Sequence, residues 1–393
     1  MFPLQLPVRA MAVGCLVLFL AAPLRGAEAL SIVHVIPAPP NSLVPDVQVD
    51  TQGAVHMVYG LDHSAWYIRS ADNGRTFTAP VKINSVGEVT TTMGERGPKI
   101  ALGRDNVIHV VWADRWTPGA KCYVRHARRL DGGKTFQPPQ QVSVMPGVDG
   151  ASLAADSDGN VLAFWHVMAD PKPAEPSATW LHMARSTDNG VAFGPSDKVN
   201  VTQHTGVACS MCMMRPRIAP DGNVYLAFRS AQDNVRDFFV LKSPKTQNRF
   251  TAIRVNQDNW KLEQCPMCGP ELTLAPAGQA ICAYMSRNRV YWSISDQPLT
   301  RFDLHVPTPT NENNEIYPTA LANRRGQVLL LWQVGPMSVK STAIVKWATY
   351  SIDGKPTGQH GTIGTSFSGT KPTAFVGTDD NFYIVTTAHK FPA

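Results

Sequence analysis

Beyond its first 29 residues the sequence holds no apolar run long enough to cross a bilayer as a helix, which excludes a transmembrane segment from the rest of the chain. It holds no cluster of Lys or Arg. Its formal net charge of +6 is scattered, which speaks against a nucleic-acid partner. There is no phosphate-cradling Gly-rich loop, no His-Glu-x-x-His and no serine elbow, so nucleotide chemistry and two common kinds of hydrolysis lack their residues. Stretches free of Pro and Gly are also scarce. The 31 Pro and 29 Gly cut 393 residues into short segments and argue against long helices.

The one long apolar stretch lies at the start. Arg9, the run Met11–Leu24 and the small-x-small triplet Ala27-Glu-Ala29 read as a secretory leader, with cleavage expected after Ala29. Residues 30–393 then form the working domain, expected in a periplasmic or extracellular setting. Cys15 leaves with the leader. Six cysteines remain: Cys122, Cys209, Cys212, Cys265, Cys268 and Cys282. An even number in an exported chain permits disulfides.

Two phrases recur. The first is Ser70-Ala-Asp72-Asn-Gly74-Arg-Thr76-Phe77, with further copies at Leu130–Phe136 and Ser186–Phe193. Asp and Asn before Gly make a tight turn between two β-rich runs, and the Phe that follows can anchor it. The second phrase is Pro-x-apolar-x-apolar, then a turn, then an apolar strand. It starts at 45, 98, 151 (with Ala for Pro), 216, 270, 318 and 372, at intervals of 53, 53, 65, 54, 48 and 54. Third and fourth strands follow each start. Four short antiparallel strands per fifty residues is the pattern of a propeller blade. The expected fold is therefore all-β: a β-propeller of seven blades, or six if 371–388 is an outer addition. The orphan strand Leu30–Ile36 resembles a fourth strand and is expected to join the last blade and close the ring, which removes open sheet edges.

The first phrase resembles the Asp-box, or BNR repeat, of the sialidase-like propellers, and the resemblance covers nearly the whole working domain. It implies the fold; in that family the box itself is a structural turn away from the active face. A sialidase-like glycoside hydrolase uses a Tyr nucleophile paired with a Glu, an Asp acid/base and three Arg. By position Tyr317, Glu315 and Asp62 resemble the catalytic set, and Arg96 and Arg215 resemble substrate-binding arginines. The first arginine of that family is missing, since the stretch where it belongs reads Leu43-Val44-Pro45.

A second constellation departs from that family. Cys209-Ser-Met211-Cys212-Met213-Met214 and Cys265-Pro-Met267-Cys268 precede the fourth and fifth inner strands. Loops at this level gather at one mouth of the central channel. Two Cys-x2-Cys pairs there could close a tetrahedral metal site. Thiolates and the thioethers of Met211, Met213 and Met267 are soft donors that suit copper(I), with zinc a weaker match. His204 is a candidate further ligand, and Met93 and Met145 lie on neighbouring loops. A c-type haem is excluded, because neither second cysteine is followed by His. The same four cysteines read equally as disulfide staples, or as a thiol-disulfide redox pair. Cys122 and Cys282 lie in strands and read as buried apolar groups. The tryptophans within strands read as inter-blade packing, and Asp114-Arg115-Trp116 as a mouth loop.

Three functions follow as expectations: a binding protein with a soft-metal site at the mouth, a divergent glycosidase, or a disulfide-stapled scaffold for a glycan or protein. The expected partners are a soft metal ion or a glycan, with room for a protein at the mouth.

Overall fold

The proline that opens six of the seven repeats falls just before or within a first strand, the edge of its sheet, where a missing N–H is tolerated; Pro45 and Pro318 sit where the pairing register shifts. The second strands read as unbroken apolar runs because neighbouring sheets cover both of their faces. A computed structural model describes residues 30–91, 94–117, 121–168, 174–335, 342–367 and 371–387. The expected leader, its cleavage site and Met93 lie outside these residues.

The described strands form seven sheets. Blade one comprises Leu43–Val49, Val55–Leu61, Ser64–Ser70 and Val81–Lys82. Blade two comprises Lys99–Leu102, Ile108–Ala113, Val124–Arg129 and Gln140–Gln141. Blade three comprises Val148–Ala155, Val161–Val167, Ala178–Ser186 and Asp197–Lys198. Blade four comprises Arg215–Ile218, Asn223–Arg229, Phe238–Pro244 and Phe250–Arg254. Blade five comprises Glu271–Leu274, Ala280–Ser286, Arg289–Ile294 and Val306–Pro307. Blade six comprises Glu315–Ala322, Gln327–Val334, Thr342–Ser351 and Pro356–Phe367. Blade seven has Thr373–Val376 and Phe382–Thr386, and it is completed by Val33–Pro37. This is a seven-bladed β-propeller, and 371–388 holds two true blade strands rather than an outer addition.

The closing strand differs from expectation in one respect. It pairs in parallel with Phe382–Thr386, from Val33↔Phe382 to Pro37↔Thr386. A fourth strand runs parallel to the second in any antiparallel blade. Among the described residues blade seven has no third strand of its own, and the closing strand meets the second directly.

Each boundary between blades is filled by its own apolar cluster. The second strands of blades one to six place an aromatic near their ends: Tyr59, Trp112, Trp165, Phe228, Tyr284 and Trp332, all nearly fully buried. Trp112 packs on Val58, Ala65 and Tyr67 of blade one. Trp332 packs among Ile281, Ala283 and Trp292 of blade five. The Phe of each clip also reaches back one blade: Phe136 meets the Tyr67 ring at 5.7 Å and Phe193 meets His126 at 5.0 Å.

The clips are built from local bonds. Ser70 Oγ donates to Asp72 Oδ1 (2.7 Å) and accepts from Gly74 N (2.8 Å), while Thr76 N donates to Asp72 Oδ1 (2.9 Å). Ser186, Asp188 and Gly190 repeat the pattern. A further clip escaped the sequence reading: Asp296 accepts from Thr300 N at 2.6 Å and from the Thr300 hydroxyl. There Pro298 stands where the other copies have Gly, and Phe302 falls one residue later.

Candidate functional site

The order of antiparallel strands puts the loops that lead into first strands on one face of the ring. The third-to-fourth clips fall on the opposite face. On the first face the two cysteine loops meet.

The first loop is positioned by a three-residue strand, Val207–Cys209, that pairs with the third strand of blade three (Cys209↔Ala178) and bridges Ser230 at the end of blade four's second strand. His166 braces it from below. Burial keeps this imidazole neutral, with its pKa pushed down. Its Nε2 then donates to Cys212 O (2.9 Å), and its Nδ1 accepts from the Thr179 hydroxyl (2.9 Å).

The second loop is held by two buried arginines. Arg236 donates to Leu262 O (2.7 Å) and Glu263 O (3.1 Å). Arg229 donates to Cys268 O (3.1 and 2.8 Å), Arg236 O (3.0 Å) and Met285 O (2.8 Å). The loops touch at Gly269, where a Cβ would lie 2.1 Å from Met213 O, so only glycine fits. Buried Glu95 ties them together, accepting from Met213 N (3.2 Å) and Gly269 N (2.7 Å). Burial pushes its carboxyl pKa up.

Three sulfurs converge at this crossing. Cys209 Sγ lies 3.0 Å from Cys265 Sγ and 3.4 Å from Cys212 Sγ, and Cys212 Sγ lies 3.6 Å from Cys265 Sγ. All three residues are buried, and together they make a potential metal-holding group. The Cys265 sulfur also receives the Met267 N–H at 3.4 Å. Donation by both neighbouring thiols and by backbone N–H groups pulls the Cys265 pKa down; burial pushes Cys209 up to about 12 and raises Cys212 as well. The cluster thus favours one thiolate among two thiols. With metal–sulfur bonds of about 2.3 Å, tetrahedral or trigonal coordination sets sulfurs about 3.8–4.0 Å apart. The observed triangle is smaller by a few tenths of an ångström on two edges and by most of an ångström on the third, within reach of side-chain rotation. A disulfide needs about 2.0 Å, and all six described cysteines are free thiols.

The structure brings together three of the four cysteines expected at the site. Cys268 stands outside the group, its Sγ accepting the Tyr317 N–H at 3.3 Å. Met211 and Met267 pack on the sulfur cluster beside Ala178, Val207 and Ala231. Met213 instead sends its thioether toward Gly150. His204 has both ring nitrogens engaged, with Ser230 Oγ (3.0 Å) and Gly206 N (2.9 Å).

A cavity of about 560 Å³ adjoins the cluster. Its walls include Arg96, Asp149, Asp114, Trp116, Met168 and Met211. Trp116, in the loop singled out from sequence, is 64% exposed. Arg96 is buried and ion-paired with Asp149. Arg215 lies deeper, paired with Asp46 (3.0 Å) and Glu271 (2.9 Å).

The three residues that resemble a glycosidase set are placed as follows. Tyr317 is buried at positive φ (+54°), and burial raises its hydroxyl pKa. Glu315 accepts from Val290 N (2.8 Å) and from the Thr308 hydroxyl (2.8 Å). Asp62 sits exposed at the tip of the turn between the second and third strands of blade one, also at positive φ (+48°). Among the described residues no hydrogen bond or ion pair joins these three side chains to one another.

Four groups that hold the site were not found from sequence: Glu95, His166, Arg229 and Arg236. Each acts on backbone carbonyls or N–H groups far along the chain, so no local spacing marks it.

No known sequence family matches this chain, and no curated protein does. Solved structures do match in fold. An α-L-arabinanase from Penicillium chrysogenum, complexed with arabinobiose, aligns with 82% of this chain and 98% of its own (TM-score 0.54, 14% identity). An α-L-arabinofuranosidase of Fusarium graminearum, also with arabinobiose, aligns over the same shares (TM-score 0.56, 12% identity). A protein of unknown function from Dyadobacter fermentans covers 77% of this chain and 93% of its own (TM-score 0.51, 15% identity). At these identities the likeness is one of fold, that of a β-propeller.

Proposed function

We propose that this propeller is an exported binding protein whose mouth holds a soft metal ion, copper(I), in the Cys209–Cys212–Cys265 triangle. One observation carries the reading: three thiols from two loops lie within 3.6 Å of one another. A disulfide pairs two sulfurs and strands the third; one soft metal ion uses all three. The thioethers of Met211 and Met267 pack on the same cluster and extend its soft character. Zinc is less suited, since it calls for a fourth hard or thiolate ligand, and Cys268 is turned to Tyr317.

The test is copper reconstitution of the anaerobically purified chain, with a free-thiol count in parallel. One copper per chain, lost in Cys265→Ser, is the expected result. Failure to bind copper, with Cys209 and Cys265 recovered as a disulfide, would replace the metal site by an inter-blade staple.

A second reading concerns the adjoining cavity. An exposed Trp116 on the wall of a 560 Å³ space is a stacking platform for a sugar ring, and two of the fold's relatives were solved with arabinobiose. Oligosaccharide binding that is lost in Trp116→Ala would support a glycan ligand. If any glycoside is turned over, loss of that activity in Tyr317→Phe would assign the chemistry to Tyr317, with Glu315 and Asp62 as its expected partners.

A further inference from the structure

Two histidines of blade two lie under the clip of blade three. His109, from the second strand, is fully buried, and His126, from the third, is 1% exposed. His109 Nδ1 and His126 Nε2 are 3.1 Å apart. The clip seats directly on the pair. A Cβ on Gly190, whose φ is +73°, would lie 2.8 Å from His109 Cε1 and Nδ1 and 2.9 Å from His126 Cε1, so only glycine fits.

The partners fix where the protons sit. Asn189 Nδ2 donates to Arg104 O (3.0 Å), so its Oδ1 is the acceptor, and His109 Nε2 donates to it (3.2 Å). His109 Nδ1 then accepts the proton of His126 Nε2. Gln140 Nε2 donates to Gly190 O (2.8 Å) and to His126 Nδ1 (3.2 Å). Each ring carries one proton, and all four ring nitrogens are used. A further proton on either ring would set two donors face to face. Among the described residues no carboxylate pairs with the rings to offset it. The clip's own Asp188 is turned to Ser186 Oγ (2.6 Å) and Ala192 N (3.1 Å), and Arg104 pairs with exposed Asp105 (3.7 Å). The charge that acts on both rings is the cation of Arg128, which donates to Asn189 O (3.0 Å). Burial pushes the His109 pKa down to about 4; burial, the neighbouring ring and Arg128 hold His126 well below its usual value.

We infer that this joint is a proton-operated latch: the clip of blade three holds to blade two while both imidazoles are neutral, and acid releases it. Both groups have depressed values in the folded state. The contact is therefore at full strength above the free value of about 6.5 and is lost as pH falls toward about 4. Release uncovers the boundary of the two blades, where Phe193 of the clip packs with Val111, Val124 and Trp165. The latch lies on the clip face and does not depend on any metal or sugar at the mouth.

The test is hydrogen exchange of the full chain, read by mass spectrometry at about pH 7.5 and about pH 5.5, either side of the free histidine value, and corrected for intrinsic rates. Gly190 N donates to Ser186 Oγ (2.9 Å) and Gly74 N to Ser70 Oγ (2.8 Å), so the two clips form a matched pair. The clip at Gly74 rests on Ile36 and bonds Thr378 through Asn73, with no buried histidine pair beneath it. Opening that takes up two protons should become about 100-fold more frequent at residues 186–193 over this interval, with little change at residues 70–77. In His126→Gln the rise should drop to about tenfold, the share of one histidine. An equal response of the two clips in the unaltered chain, a measurement that needs no variant, would overturn the inference. So would a full rise that survives in His126→Gln.

Discussion

The two faces of the ring are shaped by opposite means. On one face the clips are closed by side chains two and four residues from their targets: Ser70 with Asp72 and Gly74, Asp72 with Thr76. On the other face the cysteine loops are closed by groups from elsewhere: Glu95 reaches 118 residues to Met213 and 174 to Gly269, and Arg229 reaches 39 to Cys268. A clip is a self-sufficient turn that any blade can carry. The mouth is a shared construction that exists only once several blades are in place. Local closure repeats along the chain, and it makes a scaffold. At the mouth, long-range closure joins several blades, and it makes a site.

The sharpest break in this comparison should come at the sulfurs. Cys265→Ser is expected to weaken copper(I) binding by more than about 100-fold, because even outer-shell partners of a metal site are worth about 10–100-fold. Asp188→Ala, on the other face, should leave binding unchanged; competition with a chromogenic copper(I) chelator measures both. Next in size is Arg229→Met. It removes a buried guanidinium and leaves the carbonyls of Cys268, Met285 and Arg236 unpaired, for a loss of about 3 kcal/mol in denaturant unfolding. Copper affinity should fall with it, since the second loop loses its brace. A stability loss with no change in affinity would show that the loops hold their shape without it. Met211→Leu preserves volume and removes the thioether, and about tenfold weaker copper binding is expected with no change in Tm. The smallest effect is at the clips. Asp188→Ala should lower Tm by no more than about 2 °C.

The clips also carry a pH signature. Hydrogen bonds to Thr76 and Ser70 hold the Asp72 pKa at about 2, and bonds from Ser186 and Ala192 hold Asp188 below its usual value against a partial burial penalty. Both values are depressed in the folded state, so their contribution is fully present above the unfolded value near pH 4. It is lost as pH falls from about 4 toward about 2. The Asp72→Ala variant should be less stable than the unaltered chain near pH 7 and should show a shallower loss of stability over that window in acid titration, so that the two converge toward pH 2.

Much of the scaffold was legible in the sequence because its determinants are local. The Pro-x-apolar phrase marked all seven inner strands, and the Ser-x-Asp-x-Gly phrase marked two of the bonded clips, at Ser70 and Ser186. The clip at Asp296 went unseen because its bonding survives a change of the Gly to Pro and a shift of the Phe, and the pattern keyed on both. The closing strand was placed in the right blade but at the fourth position; it pairs directly, and in parallel, with the second strand of blade seven. At the mouth, the Cys-x-Met-Cys spacing named the loops but not the geometry. Cys268 follows Cys265 at the same spacing as Cys212 follows Cys209, yet its sulfur turns to Tyr317 N because Arg229 holds its carbonyl. Met213 points away from the cluster because its backbone is pinned against Gly269 and Glu95. Those constraints come from other blades, and no spacing within the loop encodes them.

The parallel pairing of Val33–Pro37 with Phe382–Thr386 has a kinetic consequence. Ser31 and Asp380 bond across 349 residues of sequence, and six blades lie between them. Each of those blades can form its hairpins soon after its own residues emerge, but the ring has no stable end until the last sheet receives its third strand. The first strand of the domain must therefore stay unpaired through the assembly of all the others. Loop closure over that span is slow compared with hairpin formation, so the latch sets the tempo of folding. Substitutions at Val33, Val35 or Ile36 should slow the final step of refolding while leaving early burst-phase signals from blades two to five intact.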